Sequence, residues 1–155
     1  MLSQMVNYVR VRDIENICAI EKERNSYIDE DFDVLMYKKT FLTKENIIDL
    51  LHKDRVVALK VSDGDFILGY IINLYLEKSY KILKFEIAET VDNPVLVFIH
   101  LIEKMVRSKN RKYISCIVHE TELYKIDILK ACDFQFEGYY KNSDEYYLFK
   151  YYISQ

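Results

Sequence analysis

The chain has 155 residues, the length of one domain that can bury a core without disulfides or metals. Half of the residues are hydrophobic and 30% are charged, which excludes the composition of a disordered chain. A net charge of −3 provides no overall basic surface for phosphate backbones, so we expect no nucleic acid partner.

The first third of the chain predicts one strand followed by two helices. Residues 5–12 alternate in the manner of a strand, and Asp13 can cap the helix that follows. Residues 27–39 are rich in acidic side chains and have no clear period, which predicts a loop or a short helix. Thr43 can cap a second helix. The apolar positions of that helix are Ile47, Ile48 and Leu51.

The middle of the chain predicts a hairpin, a third strand of the same sheet and a long helix. Residues 55–62 and 65–76 flank Asp63-Gly64, and this dipeptide tolerates the positive φ of a tight β-turn. A strand over 80–89 follows. Asn93 can then cap a helix whose first residue is Pro94, with apolar residues at intervals of three and four up to Val106.

The last third predicts a strand, a helix and two closing strands. Their ranges are 112–119, 121–132, 134–140 and 145–152. The complete order is β-α-α-β-β-β-α-β-α-β-β, in a single domain over residues 1–155 without internal repeats. Such an order favours an α/β (α+β) fold, with one mixed sheet and helices on both of its faces.

The cysteines and the N-terminal residues indicate the cellular compartment of the protein. Three cysteines, odd in number and set far apart in apolar patterns, predict reduced core residues in a reducing compartment. They are Cys18, Cys116 and Cys132. The first ten residues lack the pattern of a signal peptide, and no run approaches the roughly 18 apolar residues of a membrane span. We therefore expect a cytoplasmic protein without a membrane partner.

Four strings, in the correct order, resemble the GNAT superfamily of N-acetyltransferases. They are VRVRDIENICAIEKE at 9–23, VVALKVSDGDFILGYI at 56–71, IHLIEKMVRSKNRKYISCIVHE at 99–120 and DFQFEGYYKN at 133–142. The resemblance covers nearly the whole chain and implies a GNAT-like fold, with about seven strands flanked by about four helices. It also implies acetyl-CoA as the cofactor and an amine as the acceptor of the acetyl group.

The family's phosphate-binding loop, of the Arg-x-x-Gly-x-Gly type, is missing. Residues 89–95 stand in its place and contain neither a glycine nor a basic residue, although glycine lets a backbone approach a phosphate closely. A helix start attracts an anion by about 0.3–1 kcal/mol, whereas a carboxylate about 4 Å away opposes it by about 1–4 kcal/mol. The positions that the resemblance leaves for acetyl-CoA are the strand backbone at Phe85, Glu86 and Ile87 and the helix start at Asn93, Val95 and Leu96.

The family's catalytic positions do not match either. The tyrosine that commonly acts as the acid corresponds to Leu129, and the glutamate base of some members corresponds to Ile117. Asp133 and Glu122 replace a glycine and an asparagine of the pattern. Substitutes could come from the junction of the fifth strand and the last helix, since tyrosine can protonate a thiolate and glutamate or histidine can accept an amine proton. These candidates are Tyr124, Glu122, Glu120 and His119. Alternatively, Tyr124 is a packing aromatic and the charged residues form a solvated strand end.

Other charged groups have a functional and a plainer interpretation. The acidic stretch from Asp29 to Asp33 could attract a small-molecule amine, or a protein N-terminus or lysine, or it could be a solvated loop. A basic group after the long helix could bind a phosphate or simply complement the helix dipole. Its members are Arg107, Lys109, Arg111 and Lys112. The three histidines are isolated from other ligand types, so we predict no metal site.

Aromatic residues crowd the last two strands and lie on both of their faces. They are Tyr139, Tyr140, Tyr146, Tyr147, Phe149, Tyr151 and Tyr152. Because tyrosine is enriched in interfaces, we hypothesise a homodimer through this sheet edge. Two functions remain open. The preserved strand order favours a divergent acetyl-CoA-dependent N-acetyltransferase, whereas the missing glycines and Leu129 favour a catalytically silent GNAT-fold domain that acts as a binding or interaction module.

Overall fold

A computed structural model describes residues 6–24, 44–106, 110–140 and 143–153. Its seven strands form one sheet in the spatial order β1-β2-β3-β4-β5-β7-β6. The strands are β1 Val6–Tyr8, β2 Val56–Asp63, β3 Phe66–Tyr75, β4 Ser79–Ile87, β5 Tyr113–His119, β6 Gln135–Tyr140 and β7 Ser143–Tyr152. Strands β4 and β5 are parallel, whereas every other neighbouring pair is antiparallel. The predicted mixed sheet is confirmed.

Four α-helices of the described residues cover the two faces of this sheet. They are α1 Ile14–Arg24, α2 Lys44–Leu51, α3 Pro94–Val106 and α4 Leu123–Ala131. Apolar residues of α1 and α2 pack in one core, and those of α3 and α4 pack in another. Consecutive strand residues divide between the two cores: Leu59 and Ile71 lie on the α3 side, and Ala58 and Ile72 on the α1 side. Helices on both faces were predicted, and this is confirmed.

The first strand is shorter than predicted because the chain turns early. A 3-10 turn at Val11–Asp13 follows it, and Asp13 Oδ2 accepts a hydrogen bond from the Arg10 amide at 2.7 Å. The prediction that Asp13 caps α1 is wrong. Its carboxylate instead accepts hydrogen bonds from the buried Lys60 ammonium at 2.7 and 2.8 Å, so it fastens the start of α1 to β2.

The β2–β3 hairpin is confirmed, with its turn displaced by one residue. Asp63 pairs with Phe66, so the two turn residues are Gly64 and Asp65. Gly64 has a φ of 62°, a conformation that costs glycine nothing. The other strands and helices begin and end within a few residues of their predicted bounds, and their order is the predicted one.

Several predictions lie partly or wholly outside the described residues. They concern the acidic stretch from Asp29 to Asp33, the Thr43 cap, and Arg107 and Lys109 of the basic group. Arg111 of that group is described, and its Nε donates to the Leu76 carbonyl at 2.7 Å. This contact ties Arg111 to the end of β3, although the sequence predicted an interaction at the end of the helix.

None of the three cysteines, all of which lie in the described residues, forms a disulfide. Cys116 is buried, and Cys18 and Cys132 are half-buried. Burial, with a smaller contribution from the charge of Asp133, raises the pKa of the Cys132 thiol to about 11, so this thiol stays protonated at neutral pH. Within the described ranges, no helix combines the length and the apolar character that crossing a membrane demands.

Candidate functional site

A gap opens between β4 and β5, the only parallel pair among the described strands. Their pairing runs from Ser79 opposite Tyr113 to Ile82 opposite Cys116. Beyond this point, residues 83–87 of β4 have no described strand beside them on the β5 side. The gap lies at the carboxyl ends of two parallel strands, which is where ligands bind in open sheets of this kind.

A buried cluster of charged side chains lies at this gap, and we call it the Glu86 cluster. Its members are Lys84, Glu86, Glu122, Tyr124 and Lys125. Glu86 Oε2 lies 3.0 Å from Lys125 Nζ and 3.3 Å from Lys84 Nζ, and Glu86 Oε1 accepts a hydrogen bond from the Tyr124 hydroxyl. Lys125 Nζ also lies 3.0 Å from Glu122 Oε2. The cluster thus connects the C-terminal half of β4 to the start of α4.

The Lys125 ammonium lies in the gap itself. Neighbouring side chains of a strand point to opposite faces, and Phe85 packs on the α3 side, 4.7 Å from the Phe98 ring. Lys125 Nζ lies 5.1 Å from the Phe85 ring centre and also 3.0 Å from the Glu86 carboxylate. An atom that contacts both faces of one strand must lie beside the strand's edge, so Lys125 fills space that a neighbouring strand would otherwise occupy.

The electrostatics keep the Lys125 ammonium charged although it is buried. The side chains of Glu86 and Lys125 are 0% and 4% exposed. Burial alone lowers the pKa of Lys125, but the carboxylates of Glu86 and Glu122 raise it more, and the net pKa lies above its ordinary value. The ammonium is therefore charged at neutral pH. Two lysines balance two carboxylates, so the cluster carries no net charge.

The four predicted acid and base residues do lie together, but the side chains of three of them are already engaged. Tyr124 donates to Glu86, and Glu122 Oε1 accepts the His119 amide hydrogen at 2.9 Å. His119 Nδ1 lies 2.7 Å from the Thr121 hydroxyl. Glu120 is exposed at the rim. Sequence reasoning missed Lys125, which contacts Glu122, and Lys84, which contacts Glu86, the partner of Tyr124.

At the predicted phosphate site, the Asn93 side chain caps the start of α3. Asn93 Oδ1 accepts a hydrogen bond from the Leu96 amide at 3.2 Å, so Asn93 caps the helix as predicted. Glu89 and Asp92 are both exposed nearby, and no basic residue occurs in residues 88–95. This end of the gap therefore offers an anion one helix start and two unfavourable charges.

Core packing explains two further positions of the family pattern. Gly69, the glycine of the Gly-Tyr pair, lies under α3, and a Cβ at this residue would approach Val97 Cγ1 to 2.9 Å. Leu129 stands where the family commonly has a tyrosine that acts as a general acid. It is 0% exposed and belongs to the α3-side core. Both positions are occupied for packing reasons, so neither supplies a reactive group.

Comparisons with known proteins identify the fold. No protein-family model matches the chain, and a search of curated proteins gives no significant match. Solved structures do match. Similarity to the GNAT domain of S. lividans PAT covers 96% of this chain and 89% of that chain, with a TM-score of 0.69 at 10% identity. The chain has the GNAT fold.

Two further structures with this fold carry names that describe an activity. The ribosomal-protein-S18-alanine N-acetyltransferase from Escherichia coli matches with a TM-score of 0.69 at 11% identity, over 97% of this chain and 94% of that chain. Spermidine N-acetyltransferase from Vibrio cholerae, solved in complex with CoA and spermine, matches with a TM-score of 0.67 at 14% identity, over 96% and 93%. Similarity at these identities concerns the fold alone.

One neighbour with this fold was solved in complex with CoA, and the residues along the gap fit one part of that cofactor. The extended arm of CoA carries amide groups, and the β4 edge over residues 83–87 has no described strand to pair with. The diphosphate does not fit, because the start of α3 has acidic neighbours and no basic residue or glycine. Lys125 also stands beside the same β4 edge. The fit is therefore limited to the arm, and only after Lys125 has moved.

Proposed function

We propose that this GNAT-fold chain is a divergent N-acetyltransferase that transfers an acetyl group from acetyl-CoA to an amine. The β4 edge over residues 83–87 carries this proposal, because an extended ligand with amide groups can pair with it as a strand would. Backbone groups of Phe85, Glu86 and Ile87 would hold that arm once the Lys125 side chain has moved. The dipole of the α3 start at Asn93, Val95 and Leu96 would attract the phosphates without a cradle for them. Acetyl-CoA would supply the activated acyl group.

Proton transfer would fall to the residues between β5 and α4. His119 and Glu120 lie at the rim of the gap and would accept the proton of an incoming amine. Tyr124 and Glu122 lie deeper, and each is bound within the Glu86 cluster. Either of these two could move a proton at a ligand only after it exchanges its present partner for that ligand.

The acceptor class follows from the chemistry of acetyl transfer and from the names of similar proteins. One similar protein is a spermidine N-acetyltransferase and another acetylates a ribosomal protein. A small-molecule amine, or the N-terminus or a lysine of a protein, would suit a chain with a net charge of −3, because such acceptors are cationic at neutral pH.

A second candidate function has its own observation. The buried charges of the Glu86 cluster occupy the gap, and the α3 start lacks a phosphate cradle. Both features favour a catalytically silent GNAT-fold domain that acts as a binding or interaction module. Fold similarity does not separate the two functions, because one fold can hold unrelated activities.

Acetyl-CoA binding separates the two candidates. We expect titration calorimetry at low salt to show micromolar binding by the wild-type protein. Asn93→Asp places a carboxylate at the α3 start and should weaken binding about tenfold, since one nearby charge opposes a phosphate by at least about 1 kcal/mol. Asn7→Asp, at an exposed site on β1, should leave it unchanged. No binding by the wild type at millimolar acetyl-CoA would exclude the transferase.

We also propose that two copies pair through the β6 edge. Strand β6 ends the sheet and pairs with β7 alone among the described strands, and Phe136 and Tyr139 beside this edge are 49% and 58% exposed. Their ring centres lie 5.6 Å apart in an edge-to-face contact, and the Phe136 ring centre also lies 5.6 Å from that of Tyr147. Sedimentation should show a dimer at micromolar concentration that Tyr139→Arg dissociates, while Tyr8→Arg on the opposite edge does not. A wild-type monomer would contradict pairing.

A further inference from the structure

The Lys125 ammonium is held the way a protein holds an amine ligand. Carboxylate oxygens of Glu86 and Glu122 each lie 3.0 Å from Nζ, and the Phe85 ring centre lies 5.1 Å away. Glu86 accepts a charge-assisted hydrogen bond from this ammonium, Glu122 adds an ion pair, and an aromatic face adds cation–π attraction. The lysine itself is 3% exposed, so water contributes little to this recognition.

The groups around the ammonium are fixed independently of it. Glu86 Oε1 accepts the Tyr124 hydroxyl hydrogen, and Glu86 Oε2 also contacts Lys84 Nζ at 3.3 Å. Glu122 Oε1 is held by the His119 amide at 2.9 Å. Both carboxylates therefore keep anchors if the Lys125 ammonium is removed, and the remaining site should stay in place.

Charge defines what this site accepts. The ammonium groups of Lys84 and Lys125 balance the carboxylates of Glu86 and Glu122, so the site without the Lys125 ammonium has one uncompensated negative charge. An uncompensated buried charge is strongly unfavourable. A primary alkylammonium satisfies this requirement, because it has the same charge and the same three donors. A quaternary ammonium has the charge without donors, and an alcohol has a donor without the charge.

We propose that the gap between β4 and β5 contains a binding site for a primary ammonium group, and that Lys125 is its resident occupant. While Lys125 is bound, its side chain closes the gap and the site is unavailable to an external amine. An amine-bearing ligand enters only by displacing Lys125. This inference rests on the contacts of the Glu86 cluster and requires no acetyl-CoA, so it stands or falls separately from the proposed transferase.

Chemical complementation tests the site. Lys125→Ala removes three methylene groups and the ammonium, which together match n-propylammonium. We expect n-propylammonium chloride to raise the Tm of Lys125→Ala saturably, by about 3–6 °C at ten times its Kd, relative to equal sodium chloride. Lys130→Ala, which removes an exposed lysine from the same helix, should show no such rise. Neither n-propanol nor tetramethylammonium should replace n-propylammonium. Equal responses of both variants would overturn the proposal.

Two measurements cover the case in which Lys125→Ala does not fold alone. First, n-propylammonium should restore a cooperative unfolding transition to it, and failure to do so counts against the site. Second, reductive methylation of the native wild-type protein should modify Lys130 and spare Lys125, whereas both should react in urea. Modification of Lys125 in the native protein at the rate of Lys130 would show that Lys125 does not occupy the site. Neither measurement involves CoA, so a failed CoA titration leaves the result interpretable.

Discussion

The two halves of β4 differ in what lies beside them on the β5 side of the sheet. Residues 79–82 pair with β3 on one side and β5 on the other, so backbone hydrogen bonds close the sheet there. Residues 83–87 lose β5, and the ion pairs of the Glu86 cluster close the sheet instead. Buried polar side chains without a hydrogen bond among the described residues lie in the paired half at Tyr80 and beside it at Asn73 of β3, whereas the open half has one such atom, Glu122 Oε2. That atom keeps an ion pair with Lys125 Nζ at 3.0 Å. Strand pairing thus tolerates neutral groups without hydrogen bonds, whereas the open half depends on its charges.

Glu86→Gln gives the largest expected effect, because it removes the charge on which the open half depends. The variant removes the carboxylate charge that Lys84 and Lys125 both contact. We expect a loss of about 3–5 kcal/mol of unfolding free energy, measured by urea unfolding at neutral pH. Glu103→Gln alters an exposed residue of α3 and should cost less than about 0.5 kcal/mol. Equal losses would break the contrast between the two halves.

Gly69→Ala tests the open half from its other face. Gly69 pairs with Ile87, and a Cβ there would lie 2.9 Å from Val97 Cγ1 and 3.2 Å from the Glu86 carbonyl oxygen. Overpacking of this kind costs about 1–3 kcal/mol. Val97→Ala makes room for the added methyl group, so the double variant should lose less stability than the sum of the two single losses. Additive losses would mean that α3 and β4 do not meet closely at this point.

The fold could be predicted because its signals are local. Alternation every two residues marked the strands, and Asn93-Pro94 marked the start of α3, where Asn93 does cap the Leu96 amide. The early turn after β1 could not be predicted, since it depends on Asp13 meeting Lys60, 47 residues away. The sequence pattern makes Asp13 a reasonable cap and gives no sign of this distant partner.

The candidate site shows the same limit. His119, Glu120, Glu122 and Tyr124 are near one another in sequence, so their proximity was predictable. The contact of Tyr124 with Glu86 joins residues 38 apart and was not. One signal was available: β4 carries Lys81, Lys84 and Glu86 among apolar residues, and charges inside a buried strand require partners. Which residues would provide those partners depends on the tertiary structure.

Asn73→Leu tests the paired half. It should raise the unfolding free energy, whereas Glu86→Gln and Gly69→Ala should lower it. Asn73 lies opposite Ile82, is 0% exposed, and neither polar atom of its amide has a hydrogen-bond partner among the described residues. Removing a buried unsatisfied amide while keeping its volume should stabilise the protein by about 1–2 kcal/mol, measured by urea unfolding. Tyr80→Phe should give a smaller gain for the same reason. Destabilisation by Asn73→Leu would mean that the amide is satisfied in solution.

Alkaline pH should lower the unfolding free energy through titrating groups in both halves of β4. This is the smallest of the expected effects. Burial raises the pKa of Tyr75 and Tyr80 above 10.0, and the carboxylates of the cluster raise that of Lys125 above 10.5 against the effect of burial. The folded state therefore binds these protons more tightly than the unfolded state. Their contribution to stability is complete below about pH 10 and is lost as pH rises through the folded-state pKa values.

Two variants assign this loss to the halves of β4. Tyr80→Phe removes one titrating group from the paired half, and Lys125→Met removes one from the open half. Each should flatten the fall of unfolding free energy above about pH 10, as followed by urea unfolding at a series of pH values. Stability that stays constant or rises over that range would contradict the raised pKa values. If Lys125→Met alone flattened the curve, the alkaline response would belong to the open half, where charge takes the place of strand pairing.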